Sequence, residues 1–186
     1  MKKEQAGLYI HIPFCLSKCG YCSFYSIKSL NLIPEYITAL NKEFKYYRNV
    51  FLSFDTIYLG GGTPSLLSIK QLETIFYAIN KSYKIDPQAE ITIEVNPGDV
   101  SLEYFHTLRS LGINRLNIGI QSFDDNILKF LDRRHNSVEA VSAINDSRKA
   151  GFDNIGIDLI YGIHGQKISL WKKTLQKALS LSLIHI

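Results

Sequence analysis

Three cysteines lie within one short stretch near the amino terminus, and the chain of 186 residues has no others. Cys15, Cys19 and Cys22 have the spacing C-x-x-x-C-x-x-C. Thiolates this close on a short loop can converge on one metal centre, and three of them can hold three corners of a cubane iron–sulfur cluster. The fourth iron would then keep an open position, where a small molecule could bind through its own nitrogen and oxygen atoms. Such an opening would turn an electron-transfer cluster into a reaction site.

Two other interpretations of the cysteines stay open. A zinc site needs four ligands, and His11 could supply the fourth beside the three thiolates. Alternatively, the thiols could be three unrelated core residues, since free cysteine often behaves as a small apolar side chain. The odd number of cysteines argues against a disulfide framework, so we expect the chain to lie in a reducing cytoplasm.

The composition is that of an ordinary globular domain, with 46% hydrophobic residues and a formal net charge of +4. Lysine and arginine are scattered along the chain without a basic run, so we expect no nucleic-acid partner. The sequence holds no apolar stretch long enough to span a bilayer, and we expect membrane contact to be peripheral at most. Anionic small molecules remain possible ligands.

Apolar periodicity predicts strands that alternate with helices along the whole chain. We expect strands at residues 8–12, 56–59, 91–95, 115–120 and 154–160. We expect helices at residues 33–50, 69–83 and 101–111, then a loop and a helix up to 150, and a helix at 170–181. Ser68 would cap the second helix and Gly112 would close the third. This alternation predicts an α/β fold with a parallel sheet, forming most of an open (β/α)6 barrel with a sixth strand beginning near Ser182.

Residues suited to binding lie at the carboxyl ends of the predicted strands, namely Cys15, residues 60–63, Glu94, Gln121 and Asp158. In a parallel sheet, ligands bind outside these ends, where the loops meet. The glycines at residues 60–62 would let the backbone approach a ligand closely, although the same pattern also forms plain tight turns. The Glu94 carboxylate could accept hydrogen bonds from two ribose hydroxyls, or it could be a surface carboxylate paired with a lysine.

The cysteine spacing, with Tyr21 directly before the last cysteine, and the segment at residues 60–64, GGGTP, resemble the radical S-adenosylmethionine (SAM) superfamily. The resemblance implies that Cys15, Cys19 and Cys22 hold a [4Fe–4S] cluster whose open iron chelates the amino and carboxylate groups of SAM. A reduced cluster then cleaves SAM to methionine and a 5'-deoxyadenosyl radical. The cofactors supply this chemistry and the protein positions them. A one-electron donor such as a flavodoxin or ferredoxin is implied as a partner.

The resemblance also implies which residues contact SAM. The family's glycine-rich segment contacts the SAM amino group, its matching glutamate binds the ribose, and a tyrosine approaches SAM near the cluster. The matching residues here are Tyr9, Gly61 and Glu94. From the sequence alone, Tyr9 could equally be a half-buried strand aromatic.

Four further segments are similar to one branch of that superfamily, the branch of oxygen-independent coproporphyrinogen III oxidase and the heme chaperone HemW. They are YIHIPFC at 9–15, GIQSF at 119–123, LDRRH at 131–135 and IDLIYG at 157–162. In the oxidase, the matching positions hold a second SAM molecule. The resemblance therefore implies that six residues of this chain contact a second SAM molecule, or the substrate or heme: Tyr21, Gly62, Thr63, Gln121, Arg133 and Asp158. The amide of Gln121, the fixed cation of Arg133 and the acceptor carboxylate of Asp158 suit a ligand that resembles an amino acid. Alternatively, Arg133 could be a solvated charge at a helix end and Asp158 a helix N-cap.

Position 24 favours the chaperone group over the oxidase. The oxidase pattern extends to a fourth cysteine, C-x-x-x-C-x-x-C-x-C, whereas this chain has Phe24. Two departures from the family pattern are Asp132, which replaces a glycine, and His164, which replaces a proline. His164 could be a heme ligand, although a lone exposed histidine in a loop more often has no functional role. We expect a heme chaperone that carries heme or a porphyrin to heme-acceptor proteins. The alternative is an enzyme that oxidatively decarboxylates coproporphyrinogen III. Residues 1–186 would be the radical SAM core domain, ending before a sixth β/α unit and a C-terminal domain.

Overall fold

Five parallel strands form the sheet of the structure, a computed structural model that describes residues 6–51 and 53–181. The strands follow one another across the sheet in sequence order, and every neighbouring pair is parallel. They are β1 (Ala6–Ile12), β2 (Ser53–Gly61), β3 (Lys84–Val95), β4 (Arg115–Gln121) and β5 (Asn154–Leu159). Parallel neighbours need a crossover connection, and helices supply it here. The predicted α/β class with a parallel sheet whose strands alternate with helices is confirmed.

Helices occupy every connection between consecutive strands, and one more follows β5. They are α1 (Ile33–Tyr47), α2 (Ile69–Ser82), α3 (Leu102–Ser110), α4 (Asp125–Phe130), α5 (Ser137–Lys149) and α6 (Ile168–Ser180). The connection from β4 to β5 contains two helices, where we expected a loop and one helix. The short α4 begins because the side chain of Asp124 accepts a hydrogen bond from the backbone N–H of Ile127.

Side-chain caps fix where helices begin. Ser68 accepts a hydrogen bond from the backbone N–H of Gln71, whose side chain accepts one from the backbone N–H of Ser68. Asn136 and Glu139 form the same capping box before α5. These bonds satisfy amide groups that have no partner inside the helix. The predicted cap at Ser68 is therefore confirmed, and Gly112, with φ +89°, ends α3 as expected.

The two faces of the sheet differ because side chains alternate along each strand. One face packs its apolar side chains against the helices, with Ile10, Ile12, Ile57, Leu59, Ile93, Leu116 and Ile118 fully buried. Burial of one such side chain typically stabilises a fold by about 1.5–3 kcal/mol. The opposite face, called the inner face below, carries Tyr9, Tyr58, Glu94, Asn117 and Asp158. The side chains suited to binding therefore lie on the inner face.

Several element boundaries differ from the sequence prediction; β2, for example, runs from Ser53 to Gly61 rather than from 56 to 59. Strand β3 begins at Lys84 rather than at residue 91, and its pairing with β2 shifts register between Phe54 and Thr56. The sixth strand expected near Ser182 lies outside the described residues. None of the helices in the described part of the chain combines the length and the apolarity needed to cross a membrane.

Candidate functional site

The cysteines lie on a loop that follows β1 and is closed at its base by backbone hydrogen bonds. The N–H of Cys15 donates to the carbonyl of Ile27 at 3.0 Å, and the N–H of Ile27 donates to the carbonyl of Pro13 at 2.7 Å. Phe14 anchors the loop in the core, because it is 1% exposed and packs edge-on against the ring of Tyr36. All three cysteines belong to the described residues; they are half-buried and form no disulfide.

The glycine-rich segment at residues 60–64, which begins within the end of β2, fixes this loop by backbone hydrogen bonds. The N–H of Gly62 donates to the carbonyl of Ile12, and the N–H of Thr63 donates to the carbonyl of Phe14, both at 2.8 Å. A Cβ atom on Gly62 would lie 2.7 Å from the Phe14 carbonyl oxygen and 2.9 Å from that of Ile12. Only glycine permits this approach. The segment is therefore more than a plain tight turn, because it fixes the cysteine loop.

Glu94 lies on the inner face with both carboxylate oxygens already hydrogen-bonded. Oε2 accepts from the backbone N–H of Gly61 at 3.0 Å, and Oε1 accepts from the hydroxyl of Tyr58 at 2.8 Å. Gly61 has φ +114°, a left-handed conformation that favours glycine. Burial, and then the Glu94 carboxylate, raise the pKa of Tyr58 well above its usual range. The alternative of a surface carboxylate paired with a lysine is wrong.

The guanidinium of Arg133 lies between the cysteine loop and the sheet and contacts both. Nη1 donates to the Tyr21 hydroxyl at 3.3 Å and lies 3.9 Å from the Cys19 sulfur. Nη2 donates to the Gly119 carbonyl at 2.7 Å and to the side-chain oxygen of Asn96 at 2.9 Å. Its Nε is buried and has no hydrogen-bond partner among residues 6–51 and 53–181. Arg133 is therefore not the solvated helix-end charge that the sequence left open.

Gln121 is the last residue of β4, and Asp158 is the last but one of the neighbouring strand β5. Gln121 is buried and has φ +65°, which is uncommon for a residue other than glycine. Asp158 lies within β5, and its carboxylate accepts a hydrogen bond from the side chain of Asn117 at 2.9 Å. The N-cap of the following helix, α6, is Lys167. The alternative role of Asp158 as a helix N-cap is therefore wrong.

The structure brings nine of the twelve predicted site residues around one cavity of about 480 Å³: Tyr21, Cys22, Gly61, Gly62, Thr63, Glu94, Gln121, Arg133 and Asp158. Cys15 and Cys19 line a smaller cavity of about 70 Å³, which shares Cys22 and Arg133 with the larger one. Tyr9 lines neither; its ring stacks on that of Tyr58, with centroids 6.0 Å apart. The larger volume lies within the usual range of small-molecule sites.

The donor set fits an iron–sulfur cluster better than a zinc ion. The ring nitrogens of His11, the candidate fourth zinc ligand, lie 3.1 Å from the Tyr9 hydroxyl and 3.1 Å from the Tyr25 carbonyl. Within the described ranges, no three histidine, cysteine or acidic side chains converge closely enough to hold a single metal ion. A cubane cluster differs because each thiolate binds a separate iron. Three half-buried thiols beside a guanidinium suit such an anionic cluster.

Sequence reasoning missed three residues of the site, namely Tyr58, Asn96 and Asn117, which all line the larger cavity. All three were recognisable in principle, because side chains two positions apart in a strand point to the same face. Asn96 stands two residues after Glu94, Asn117 four residues before Gln121, and Tyr58 two residues before Gly60. Alternation along the three strands therefore predicts these positions.

Comparison with known proteins agrees with this geometry. The model of the Radical SAM superfamily matches residues 9–178. The heme chaperone HemW of Buchnera aphidicola subsp. Acyrthosiphon pisum is 42% identical over 97% of this chain and 49% of its own length. HemW of Lactococcus lactis is 39% identical, over 100% of this chain and 49% of its own length. The chain thus spans about half the length of these curated relatives.

A solved structure is similar over nearly the whole described fold. The coproporphyrinogen III oxidase HemN from Escherichia coli, a radical SAM enzyme, superimposes with a TM-score of 0.89. The two sequences are 30% identical, and the match covers 95% of this chain and 42% of the oxidase. The partial barrel, with its cysteine loop after β1, is therefore a fold shared with an oxidase as well as with the chaperones.

Proposed function

The chain belongs to the radical SAM superfamily, and from this premise we propose that it acts as a heme chaperone of the HemW type. In this proposal it binds a [4Fe–4S] cluster and SAM, carries heme as cargo, and transfers the heme to acceptor proteins in the cytoplasm. A flavodoxin or ferredoxin would supply electrons to the cluster. Two findings support the proposal: the sequence similarity to the HemW proteins of two bacteria, and the metal-binding chemistry of the cysteine loop.

One observation carries the proposal: three unpaired thiols on one closed loop adjoin a cavity of small-molecule size. Cys15, Cys19 and Cys22 would each ligate one iron of the cluster, which leaves the fourth iron open. When bound, the cluster and SAM together supply one-electron chemistry. The protein's own part is to hold the loop rigid through Gly62 and Thr63 and to place the cation of Arg133 beside Cys19.

Tyr9, Gly61 and Glu94 are the residues we propose for SAM. An ionised carboxylate has about four acceptor positions, so Glu94 can accept bonds from ribose hydroxyls while it keeps those from Gly61 and Tyr58. These two bonds fix the carboxylate in one orientation before a ligand arrives. Such preorganisation lowers the entropy that binding costs.

We propose the opposite side of the cavity for a second SAM molecule or for the heme, with contacts from Tyr21, Gly62, Thr63, Gln121, Arg133 and Asp158. Arg133 suits this part because it lines the cavity as a cation held in place by several hydrogen bonds, and a carboxylate of SAM or a heme propionate could pair with it. The amide groups of Gly62 and Thr63 already donate to the cysteine loop. These two residues would therefore contact a ligand through other atoms.

Phe24 supports the chaperone over the oxidase. Its side chain is 67% exposed and lines the larger cavity, at the position where the oxidase pattern has a fourth cysteine. The oxidase remains the second candidate, because the similarity to HemN supports it. It would use the same residues for radical decarboxylation of porphyrinogen propionates.

One preparation can test both functions. The protein is reconstituted anaerobically with iron and sulfide, and heme binding is followed by absorbance while coproporphyrinogen III consumption is assayed. Tight heme binding without decarboxylation is the expected result. Turnover of coproporphyrinogen III would contradict the chaperone proposal and support the oxidase.

A further inference from the structure

His135 is a buried histidine that none of the cofactor contacts above uses. It lies between α4 and α5 and is 3% exposed. Its Nδ1 is 3.1 Å from the side-chain oxygen of Asn96, and its Nε2 is 3.1 Å from the carbonyl of Ile120. The ring therefore bridges the end of β3 and the end of β4, directly behind the candidate site.

The orientation of the Asn96 amide follows from its other partners. Its nitrogen donates to the carboxylate of Asp99 at 3.1 Å, and its oxygen accepts from Nη2 of Arg133 at 2.9 Å. A reversed amide would place donor against donor and acceptor against acceptor. Asp99 is itself fixed, because its buried carboxylate accepts two bonds from Arg134 at 2.7 and 2.8 Å. The oxygen of Asn96 therefore faces both Arg133 and His135.

The two ring nitrogens of His135 face two hydrogen-bond acceptors, the oxygens of Asn96 and Ile120. Burial, and then the charge of Arg133, lower the pKa of His135 to about 4, so the ring is neutral at neutral pH. A neutral imidazole donates from only one nitrogen. Asn96 is the stronger acceptor, because its amide donates to a carboxylate and is polarised by it. Each oxygen already accepts one other bond, that of Asn96 from Arg133 and that of Ile120 from the N–H of Ser122 at 2.8 Å, so the polarisation of the Asn96 amide decides between them. We therefore assign the ring proton to Nδ1.

We infer that His135 is a positioning residue, which holds Asn96 and, through it, the guanidinium of Arg133 at the cysteine loop. The link matters because the Nε of Arg133 has no partner in the described chain. Its orientation depends on the bonds from Nη2 to Asn96 and Gly119. From that position Nη1 reaches Tyr21 and Cys19. The inference rests on the proposed function, in which Arg133 meets the ligand.

Two substitutions of His135 distinguish the hydrogen bond to Asn96 from the contact with Ile120. The amide nitrogen of asparagine can occupy about the place of Nδ1, and that of glutamine about the place of Nε2. His135→Asn should keep the bond to Asn96, and His135→Gln should lose it. For the reconstituted protein, equilibrium dialysis measures binding of the first and of the second molar equivalent of SAM, absorbance measures heme binding, and EPR gives the spectrum of the reduced cluster. The loss of one buried hydrogen bond predicts that the ligand proposed to meet Arg133, the second SAM or heme, binds about threefold to tenfold more weakly in His135→Gln, with an altered EPR line shape.

His135→Asn should bind the second SAM or heme within about twofold of the unmodified protein and keep its EPR spectrum. Melting temperatures of both variants show whether either change acts through stability alone. If both variants bind this ligand as the unmodified protein does, or if both lose affinity in proportion to stability, the inference is wrong.

A double-mutant cycle tests whether His135 acts through Arg133. In an Arg133→Gln background, His135→Gln should weaken binding of the second SAM or heme no further. Fully additive losses would overturn the inference while leaving the proposed function intact. An unmodified protein that takes up no cluster and binds no SAM would contradict the proposed function, and the inference with it.

Discussion

The hydroxyl of Thr63 donates a hydrogen bond to the sulfur of Cys15 at 3.4 Å. This contact joins the two motifs that identify the site, because Thr63 belongs to the glycine-rich segment and Cys15 to the cysteine loop. The motifs meet because β1 and β2 are adjacent and parallel, so that their carboxyl ends lie at the same edge of the sheet. The glycine-rich segment therefore contacts a proposed cluster ligand and also lines the larger cavity.

Gly62→Ala should disturb the cysteine loop. The new Cβ would lie 2.7 and 2.9 Å from two backbone carbonyl oxygens, which cannot rotate away as a side chain could. Overpacking of this kind costs about 1–3 kcal/mol, and we expect lower iron incorporation together with lower stability in urea. Gly98→Ala is the matched control, because its Cβ would first meet His135 at an ordinary 3.6 Å. Equal iron content in both variants would contradict the role of Gly62.

Tyr58→Phe should weaken SAM binding by about threefold to tenfold. The change removes the hydroxyl that fixes Oε1 of Glu94 and leaves the ring and its stacking on Tyr9 in place. Equilibrium dialysis with SAM measures the effect on the reconstituted protein. Tyr77→Phe serves as the control, because Tyr77 lies exposed on α2, where its hydroxyl accepts a bond from Lys81. Unchanged affinity in Tyr58→Phe would show that Glu94 needs no such support.

The stability of the chain should fall as the pH is lowered from about 6.5 to about 4. Burial and the nearby Arg133 and Arg134 lower the pKa of folded His135 to about 4, while the hydrogen bond to the Ile120 carbonyl and, more weakly, Asp99 act in the opposite direction. In this interval the unfolded chain binds a proton that the folded chain does not, so acid favours unfolding. One such group contributes at most about 1.4 kcal/mol per pH unit.

Urea unfolding at several pH values measures this dependence. His135→Asn should flatten it over the same interval, because the titrating ring is gone. His106→Asn, on the exposed side of α3, should leave it unchanged. A pH dependence that is the same in His135→Asn and the unmodified protein would assign the effect to other groups.

The sequence was sufficient for the sheet and for most of the cavity wall, because both follow from local patterns. Apolar alternation located β1 and β4, and the rule that ligands bind at the carboxyl ends of parallel strands located Glu94, Gln121 and Asp158. The start of β3 was missed because Lys84 and the polar residues after it do not alternate regularly. Strand pairing with β2, rather than local pattern, decides their conformation.

The network around Arg133 could not be predicted, because it joins segments far apart in the chain. Asn96 follows β3 and His135 precedes α5, so only the folded chain brings both to Arg133. Asp132 is an instructive intermediate case. The sequence alone shows that Asp132 stands where the family has a glycine. Only the structure explains why a glycine suits that position, because Asp132 has a φ of +55°.

The most direct test of the account is the iron and sulfide content of the anaerobically reconstituted chain, combined with its EPR spectrum, for the unmodified protein and for Cys19→Ser. Ser17→Ala, in the same loop, is the control. We expect a complete [4Fe–4S] cluster in the unmodified and control proteins, and none in Cys19→Ser, whose apolar core should still fold with an unchanged far-ultraviolet circular dichroism spectrum. A full cluster in Cys19→Ser, or a stoichiometric zinc ion in place of iron in the unmodified protein, would contradict the account.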